Sequence, residues 1–492
     1  MRKLLIILAL CCLIGSAMAA DTLINPNRID LSKNWTGQLH NITNGTALAD
    51  GISLIQLTKK DQSRVLIYKD GANIIAVSSD GLVIDTDTYG DDNSALLQAA
   101  CAFIQDGGNA TTYGRGLIAV RYMPVFRIDS TVYTSHGVMI DFGGSGVDIA
   151  NCNANAIQFG RPDYVYPWGV RTDGYQKITG VRNAVVYGNH SLTNSTFVAC
   201  FNIISTFQAR DISVNDMYNC FNISGSSYSA IVDHVTGGPI AGTFVHFHAQ
   251  DGALGADGPI ASCVTNCQIT NSASYTDGTG IDIEAERVQV SNTYLEGMDY
   301  GIIINDDHVQ VNGGYIYALQ HDIIIRGLGD YAHISNVAFD CSGMAGNAIQ
   351  LDTLGQIVGV DIHDNDFEGA ASKSIIQSDA DSDLVYLNVH DNTALMDGTS
   401  IFLSLADAMY YCTVSNNIVG DSDGNTVQFI VSTAGTAGSG NTINDNNIQK
   451  LATWIDAPNM IASMAEDNVV ISVVDTTADV GASWVMTNNM IS

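Results

Sequence analysis

VTNCQI from Val264, VSNTYL from Val290, VNGGYI from Val311, ISNVAF from Ile334, IHDNDF from Ile362, VHDNTA from Val389, VSNNIV from Val414 and INDNNI from Ile443 repeat one phrase eight times. An aliphatic residue is followed by a polar one, a turn-former, two variable residues and usually an apolar one. The starts lie 26, 21, 23, 28, 27, 25 and 29 residues apart, a period that belongs to solenoids, whose units bury their apolar faces only by stacking on neighbours. The third position reads Asn266, Asn292, Gly313, Asn336, Asp364, Asp391, Asn416 and Asp445. These residue types tolerate a left-handed backbone at least cost, so a sharp bend is predicted there. Each unit has room for a further strand, supplied by GIDIE from Gly280, GIIIN from Gly301, DIIIR from Asp322, AIQLD from Ala348, SIFLS from Ser400 and TVQFI from Thr426. Every unit thus reads as one three-strand coil, its strands stacked about 4.8 Å above their counterparts. The units are rich in β-branched residues, Asn and Gly, which disfavours a helical repeat.

The chain divides around this core. Residues 1–20, MRKLLIILALCCLIGSAMAA, pair two cations with an apolar run and a small-x-small site, the pattern of a secretory signal cleaved near Ala19 or Ala20. Residues 21–89 lack the phrase, and RVLIYKDGANIIAVSSDGLVID from Arg64 predicts a small N-terminal β-module of three short strands with tight turns. From Asp92 or Asn93 a capped helix follows, with Ala95, Leu96, Ala99, Ala100 and Phe103 on one face, placed to cover the open end of the solenoid. The coils then occupy 90–450, and 451–492 closes the far end.

Composition narrows the partners. The chain carries 20 Lys and Arg against 51 Asp and Glu, a net charge of -31, so nucleic acid and anionic lipid would be repelled. No window after the leader is apolar enough to insert in a bilayer. The expected location is therefore outside the cell, secreted or at its surface. The acidity is compatible with a saline habitat or with Ca²⁺ held between neighbouring carboxylates; no other cofactor is indicated. Eight scattered cysteines remain after the leader and signal neither a zinc module nor a disulfide scaffold; Cys200 and Cys220, about one coil apart, are read as stacked, buried free thiols. Seven Asn-x-Ser/Thr sequons, at Asn34, Asn41, Asn44, Asn109, Asn189, Asn194 and Asn222, allow an exported glycoprotein.

The order GDD at Gly90, the helix SALLQAA, a Gly-rich turn, a strand, Pro124, Arg127-Ile128, Gly137-Val138 and Gly143-Gly144 resembles the opening segment of the pectate-lyase-like superfamily. That superfamily includes polygalacturonases, lyases and phage tailspikes. The resemblance spans roughly residues 90–450 and implies an all-β, right-handed, single-stranded parallel β-helix of about a dozen three-strand coils. It further implies an extracellular polysaccharide as partner, bound and cleaved by a hydrolase or lyase acting on an acidic glycan. The alternative is a non-catalytic adhesive protein, with a homotrimeric fibre suggested by Ile303, Ile324 and Phe402 if these point outward.

Two sets of residues carry candidate chemistry. Strand side chains alternate, so with Ile281 and Ile283 inward, Asp282 and Glu284 face out. The same register places Asn305, Arg326 and Asp352 beyond Glu284, and Ile303, Ile324, Gln350 and Phe402 beyond Asp282. A lyase would need a base beside a cation, and Arg326 among Asp282, Glu284, Asp299 and Asp352 meets that need. TDGTGIDI from Thr276, GMDYGI from Gly297 and QHDIII from Gln320 also resemble successive polygalacturonase phrases, which implies paired carboxylates Asp277 and Asp299 assisted by His321 in an inverting hydrolysis. The phrases depart from that family at Met298, in place of its second carboxylate, and at Gln320 and Asp322 around the histidine. For substrate, Tyr164, Tyr166, Trp168 and Arg171 in an excursion between coils offer aromatic rings with a polar rim, and Asp352 offers a carboxylate. His246 and His248 share one strand face but lack a recognisable third metal ligand.

Overall fold

The computed structural model describes residues 64–104, 116–134, 137–160, 178–201, 206–225, 229–248, 259, 261–272, 278–327, 329–352, 355–369, 374–379, 382–406, 408–422, 427–433, 438–451, 453–458, 463–471, 479–480 and 484–491. The predicted leader, most of the predicted N-terminal module, the aromatic excursion and Asp277 lie outside the described residues. All strands but three belong to one continuous sheet, and its pairings are parallel except at the N-terminal end. The chain is a right-handed parallel β-helix.

Three stacks of strands make the coils. Stack A includes Cys263–Thr265, His333–Ser335, Asp361–His363 and Asn388–His390. Stack B includes Gln268–Thr270, Ala338–Asp340 and Asp366–Glu368. Stack C runs from Val132–Thr134 through Thr279–Ile283 and Ile401–Leu405 to Asp479–Val480. In two coils the strands fuse into continuous runs, Gln289–Ile304 and Gln310–Arg326. A short fourth stack, Gly355–Val358, Ser382–Val385 and Met409–Tyr410, joins later coils between C and A.

The bend between A and B lies at the third position of the phrase. Asn266, Asn292, Gly313, Asn336, Asp364, Asp391, Asn416 and Asp445 all have φ between 49° and 70°. Asn183, Asp211 and His234 upstream, and Asp467 and Asn488 downstream, repeat the conformation, so the phrase extends further in both directions than its eight clear copies.

The fourth position is not the variable residue it resembles in the sequence. Asn365, Asn392, Asn417, Asn446 and Asn468 are buried, and with Asn489 they form a ladder along the axis. Each side-chain amide donates to the next Asn Oδ1 at 2.9–3.0 Å and to a backbone carbonyl of the coil before. The bend leaves backbone groups inside the coil that the sheet cannot pair, and the ladder supplies their partners. Apolar columns fill the remaining interior, with Phe339 on Phe367 at 4.8 Å and Phe402 on Phe429 at 5.5 Å between ring centroids.

At the N-terminal end β1 (Arg64–Asp70), β2 (Asn73–Ser78) and β3 (Val83–Thr88) form an antiparallel meander, and β1 pairs in parallel with β4 (Gly116–Val120). Helix α1 (Ser94–Ile104) follows, with Asp92 accepting the Ser94 N–H at 3.0 Å. Its buried face is Leu96, Leu97, Ala100, Cys101 and Ile104, rotated from the predicted one because Ala95 points to solvent. The side chain of Gln98 accepts the Tyr133 N–H at 2.7 Å and donates to the Tyr133 carbonyl at 2.8 Å. One amide thus occupies the position of a neighbouring strand at the outset of stack C and satisfies that edge. At the other end, Thr453–Ala457, Met464–Glu466, Val469–Ile471 and Val485–Thr487 continue the stacks beyond Ile448.

All eight described cysteines are free thiols and all but Cys263 are buried. Cys200 and Cys220 do not oppose each other: Cys200 pairs in register with Ile223.

Candidate functional site

Stack C carries two outward columns. The first runs Asn222, His246, Asp282, Ile303, Ile324, Gln350, Gln377, Ser404. In the second, Ser224 lies opposite His248 and Arg326 opposite Asp352; Glu284 and Asn305 continue it, their N–H groups bonding to the Phe247 and Ile283 carbonyls. Register therefore brings together Asp282, Glu284, Asn305, Arg326 and Asp352 as expected, and adds His246 and His248.

Phe402 does not belong on this face. The column passes through Ser404, two residues on, and Phe402 is fully buried against Phe429. The repeated burial pattern of these strands, with the second and third residues buried, the fourth partly exposed and the fifth buried, explains the misplacement. The chain enters the strand at a corner, where two successive residues turn inward and simple alternation fails. Ile303 and Ile324 do hold the outward slot, but are 7% and 1% exposed. The apolar surface expected to join three chains is thus already covered within one.

Asp282 lies in the middle of this cluster. Its side chain is one quarter exposed, and its Oδ1 accepts a hydrogen bond from Asn305 Nδ2 at 3.0 Å. Burial, reinforced by the charge of Glu284, pushes its pKa up to about 6, while Arg326, His248 and Asn305 oppose the shift. His246 Nε2 lies 3.8 Å from Asp282 Oδ2 and has no hydrogen-bond partner although buried. Burial lowers the pKa of His246, against the charge of Glu284. Its ring stacks on His248 at 4.6 Å, and His248 Nε2 is 2.7 Å from Asn222 Oδ1, which gives this sequon asparagine a structural partner. Arg326 Nε is 3.3 Å from Asp352 Oδ2.

One atom each from His246, Asp282 and Glu284 fall within 4.8 Å of one another. This has two consequences. A set of one imidazole and two carboxylates suits a transition ion more than the six to eight oxygens that Ca²⁺ takes; among the described residues an all-oxygen group is formed by Glu286, Asp306 and Asp307. The two carboxyls are also closer than the roughly 6.5–9.5 Å that an inverting hydrolysis uses to admit water between them.

The other expected residues lie elsewhere. His321 opposes Tyr300 at the start of the stack C strands, 6.2 Å between ring centroids, and its Nδ1 accepts the Asn347 N–H at 3.1 Å. Asp299 immediately precedes Tyr300, and its own N–H bonds to the Gly278 carbonyl. Both therefore sit before the column, not in the cluster around Asp282. Next to His321, Asp322 points into the interior, fully buried, its carboxyl held well above the usual range by burial.

A second surface was not anticipated. Three residues before the phrase the backbone turns left-handed again, at Ala261, Arg287, His308, Tyr331, Gly359, Tyr386, Tyr411 and Gly440. His308 stacks on Tyr331 at 5.1 Å and Tyr386 on Tyr411 at 5.7 Å. A Cβ on Gly359 would lie 2.6 Å from the Tyr331 ring, and one on Gly440 2.7 Å from the Tyr411 ring, so each glycine gives a ring room to lie over the next coil. Tyr331, Tyr386 and Tyr411 are 51%, 54% and 57% exposed. A bulky side chain at positive φ costs about 1–2 kcal/mol, and here the cost recurs in a row of solvent-facing rings. The signal lay in the sequence, at a fixed offset of three before each copy.

No family model matches the chain, and no curated protein does. Solved structures do. A doubly substituted tailspike protein of E. coli bacteriophage HK620 is 11% identical over 92% of this chain and 84% of its own, with a TM-score of 0.53. A singly substituted form of the same tailspike in complex with a pentasaccharide is 11% identical over the same shares, with a TM-score of 0.51. The A-module of the mannuronan C-5 epimerase AlgE4 of Azotobacter vinelandii is 12% identical over 82% of this chain and 96% of its own, with a TM-score of 0.40. At such identity the likeness to the tailspike carries the fold alone, a right-handed parallel β-helix.

Proposed function

We propose that this is an exported protein that binds a linear polysaccharide along the β-helix and acts on it at Asp282. The observation that carries the reading is the Asp282 carboxyl, pushed up to about 6 and held by Asn305 beside Glu284 and His246. A carboxyl that keeps its proton near neutrality can donate it to a glycosidic oxygen, while a second carboxylate close by stabilises positive charge at the sugar carbon. In this reading Asp282 is the general acid, Glu284 the electrostatic or nucleophilic partner, and Arg326 with Asp352 orient the polymer. The tailspike with bound pentasaccharide supports a glycan as ligand of such a scaffold. With Arg326 paired to Asp352 and Asp282 protonated, Glu284 leaves the site net negative, which favours a neutral sugar over the acidic glycan expected from sequence.

The exposed tyrosine row supports the binding half independently. Rings laid along the axis offer apolar contact to sugar faces, and they would retain a polymer even without turnover, which is the adhesive reading. A panel of neutral and acidic polysaccharides separates the two. Cleavage yields new reducing ends, lost in Asp282→Asn; adhesion yields retardation in affinity electrophoresis that Asp282→Asn leaves intact and Tyr386→Ala weakens. Neither cleavage nor retardation on a broad panel would overturn the proposal.

A further inference from the structure

Beside the tyrosine row and away from Asp282, the outward face of stack A gathers three histidines around one carboxylate. His333 pairs in register with Asp361, and His363 with His390. His390 Nε2 lies 3.0 Å from Asp361 Oδ1 and His333 Nε2 lies 3.6 Å from Asp361 Oδ2. The rings of His333 and His363 are 4.9 Å apart edge to face, and those of His363 and His390 4.9 Å apart and parallel within 2°. One ligand atom from each of His333, Asp361 and His363 falls within 4.8 Å of the others.

The second contacts fix which atoms are available. Asp364 accepts a hydrogen bond from His363 Nδ1 at 2.7 Å, and Asp391 accepts one from His390 Nδ1 at 2.7 Å. A carboxylate can only accept here, so each Nδ1 carries its hydrogen and each neutral ring keeps its lone pair on Nε2. A carboxylate–imidazole pair of this kind is the usual outer support of a metal-bound histidine. The lone pair of a neutral His390 Nε2 would face an oxygen of Asp361, an unfavourable pairing that only a cation between coils or a proton relieves. His333 Nδ1 is buried and has no partner.

From this arrangement we infer that stack A carries a divalent transition-metal site formed by His333, Asp361 and His363, with His390 at its edge. Two imidazoles and one carboxylate suit Zn²⁺, Cu²⁺ or Ni²⁺ and leave a coordination position for solvent. The partly exposed side chains, 20% for His363 and 26% for Asp361, leave the site open to ions from solution.

Calorimetric titration of the full chain with ZnCl₂ at pH 7.5, with Co²⁺ absorption reporting coordination, tests the inference. The expected result is a Zn²⁺ site lost in His363→Ala and Asp361→Ala, and weakened about 10–100-fold in Asp364→Asn, where only the supporting carboxylate changes. Because His246, Asp282 and Glu284 form another candidate group, the binding must also survive in His246→Ala. Circular dichroism checks that the variants keep their fold; Asp364→Asn, at an exposed bend, provides the measurement if the alanine variants do not. The inference is overturned if the wild-type chain takes up no Zn²⁺ at 100 µM, roughly a thousandfold above a 0.1 µM Kd, or if uptake is lost in His246→Ala and unchanged in Asp364→Asn.

Discussion

Replacing Asn417 by alanine cuts the interior ladder at its middle. The Asn417 side chain donates to the Val389 carbonyl at 2.9 Å and to Asn446 Oδ1 at 3.0 Å, and accepts from the Asn392 N–H at 3.2 Å and from Asn392 Nδ2 at 3.0 Å. All four bonds vanish in Asn417→Ala. Each is worth about 0.5–1.5 kcal/mol net, and a buried group left without a partner costs about 1–3 kcal/mol. Asn446 Oδ1 keeps the Asn417 backbone N–H at 3.0 Å and Asn392 Nδ2 keeps the Ile362 carbonyl at 2.9 Å, so the Asn392 backbone N–H loses its partner and the Val389 carbonyl loses one donor. The expected loss is about 3–5 kcal/mol, concentrated in the adjacent coils. A solenoid unfolds by neighbouring units and not all at once, so the assay is native-state amide exchange read by mass spectrometry, beside a urea melt followed by circular dichroism. Peptides covering 384–420 should lose protection by two orders of magnitude or more, while those covering 230–300 keep theirs. Asn489→Ala, at the last rung, should cost less than half as much. Equal, uniform loss in both variants, or a change below about 1 kcal/mol in Asn417→Ala, would refute the view that the ladder replaces backbone partners missing at the bend.

Tyr386→Gly separates binding from stability. Glycine removes the strain of φ 57° but also the ring contact with Tyr411, so the melt should shift by less than about 1 kcal/mol while glycan retardation falls several-fold. Asp282→Asn tests the linkage. Its native pKa of about 6 lies above the ordinary 3.8, so stability is fully present below about pH 4 and is lost as pH rises through 6. The asparagine variant should therefore be more stable than wild type at pH 8, on the order of 2–3 kcal/mol, and equal at pH 3.5. If Asp282 is the acid in turnover, cleavage should also decline above pH 6. Gly301→Ala places a Cβ 2.3 Å from the Asp322 carbonyl and 2.7 Å from Ile316 Cγ2. It should lower stability by about 1–3 kcal/mol, measured by thermal melting, and loosen Asn305 and Arg326 on the same strands.

What the sequence makes legible is what a coil decides by itself. A left-handed bend depends on the sterics of one residue, so Asn, Asp and Gly at the third position announce it, and every copy adopts it. The pairing of Asp282 with Glu284 follows from strand alternation and holds. What a coil does to the next is less readable. The asparagines of the ladder follow Cys267, Thr293, Gly314 and Val337 at the same position in earlier coils, which hides a role visible only when the coils are stacked. Phe402 defeats strand alternation because two successive residues turn inward where the chain enters the strand at a corner. His246 was seen as half of an incomplete metal pair, since 36 residues separate it from Asp282, more than any interval between the eight phrases. In the fold the two side chains occupy successive rungs of one column. The surroundings of Asp282 are thus assembled across coils: burial and Glu284 on its own coil raise its pKa, while His248, Asn305 and Arg326 from other coils oppose the rise. A solenoid keeps its chemistry in the register between repeats, and any insertion that slipped one coil by two residues would dismantle the site while leaving the fold whole.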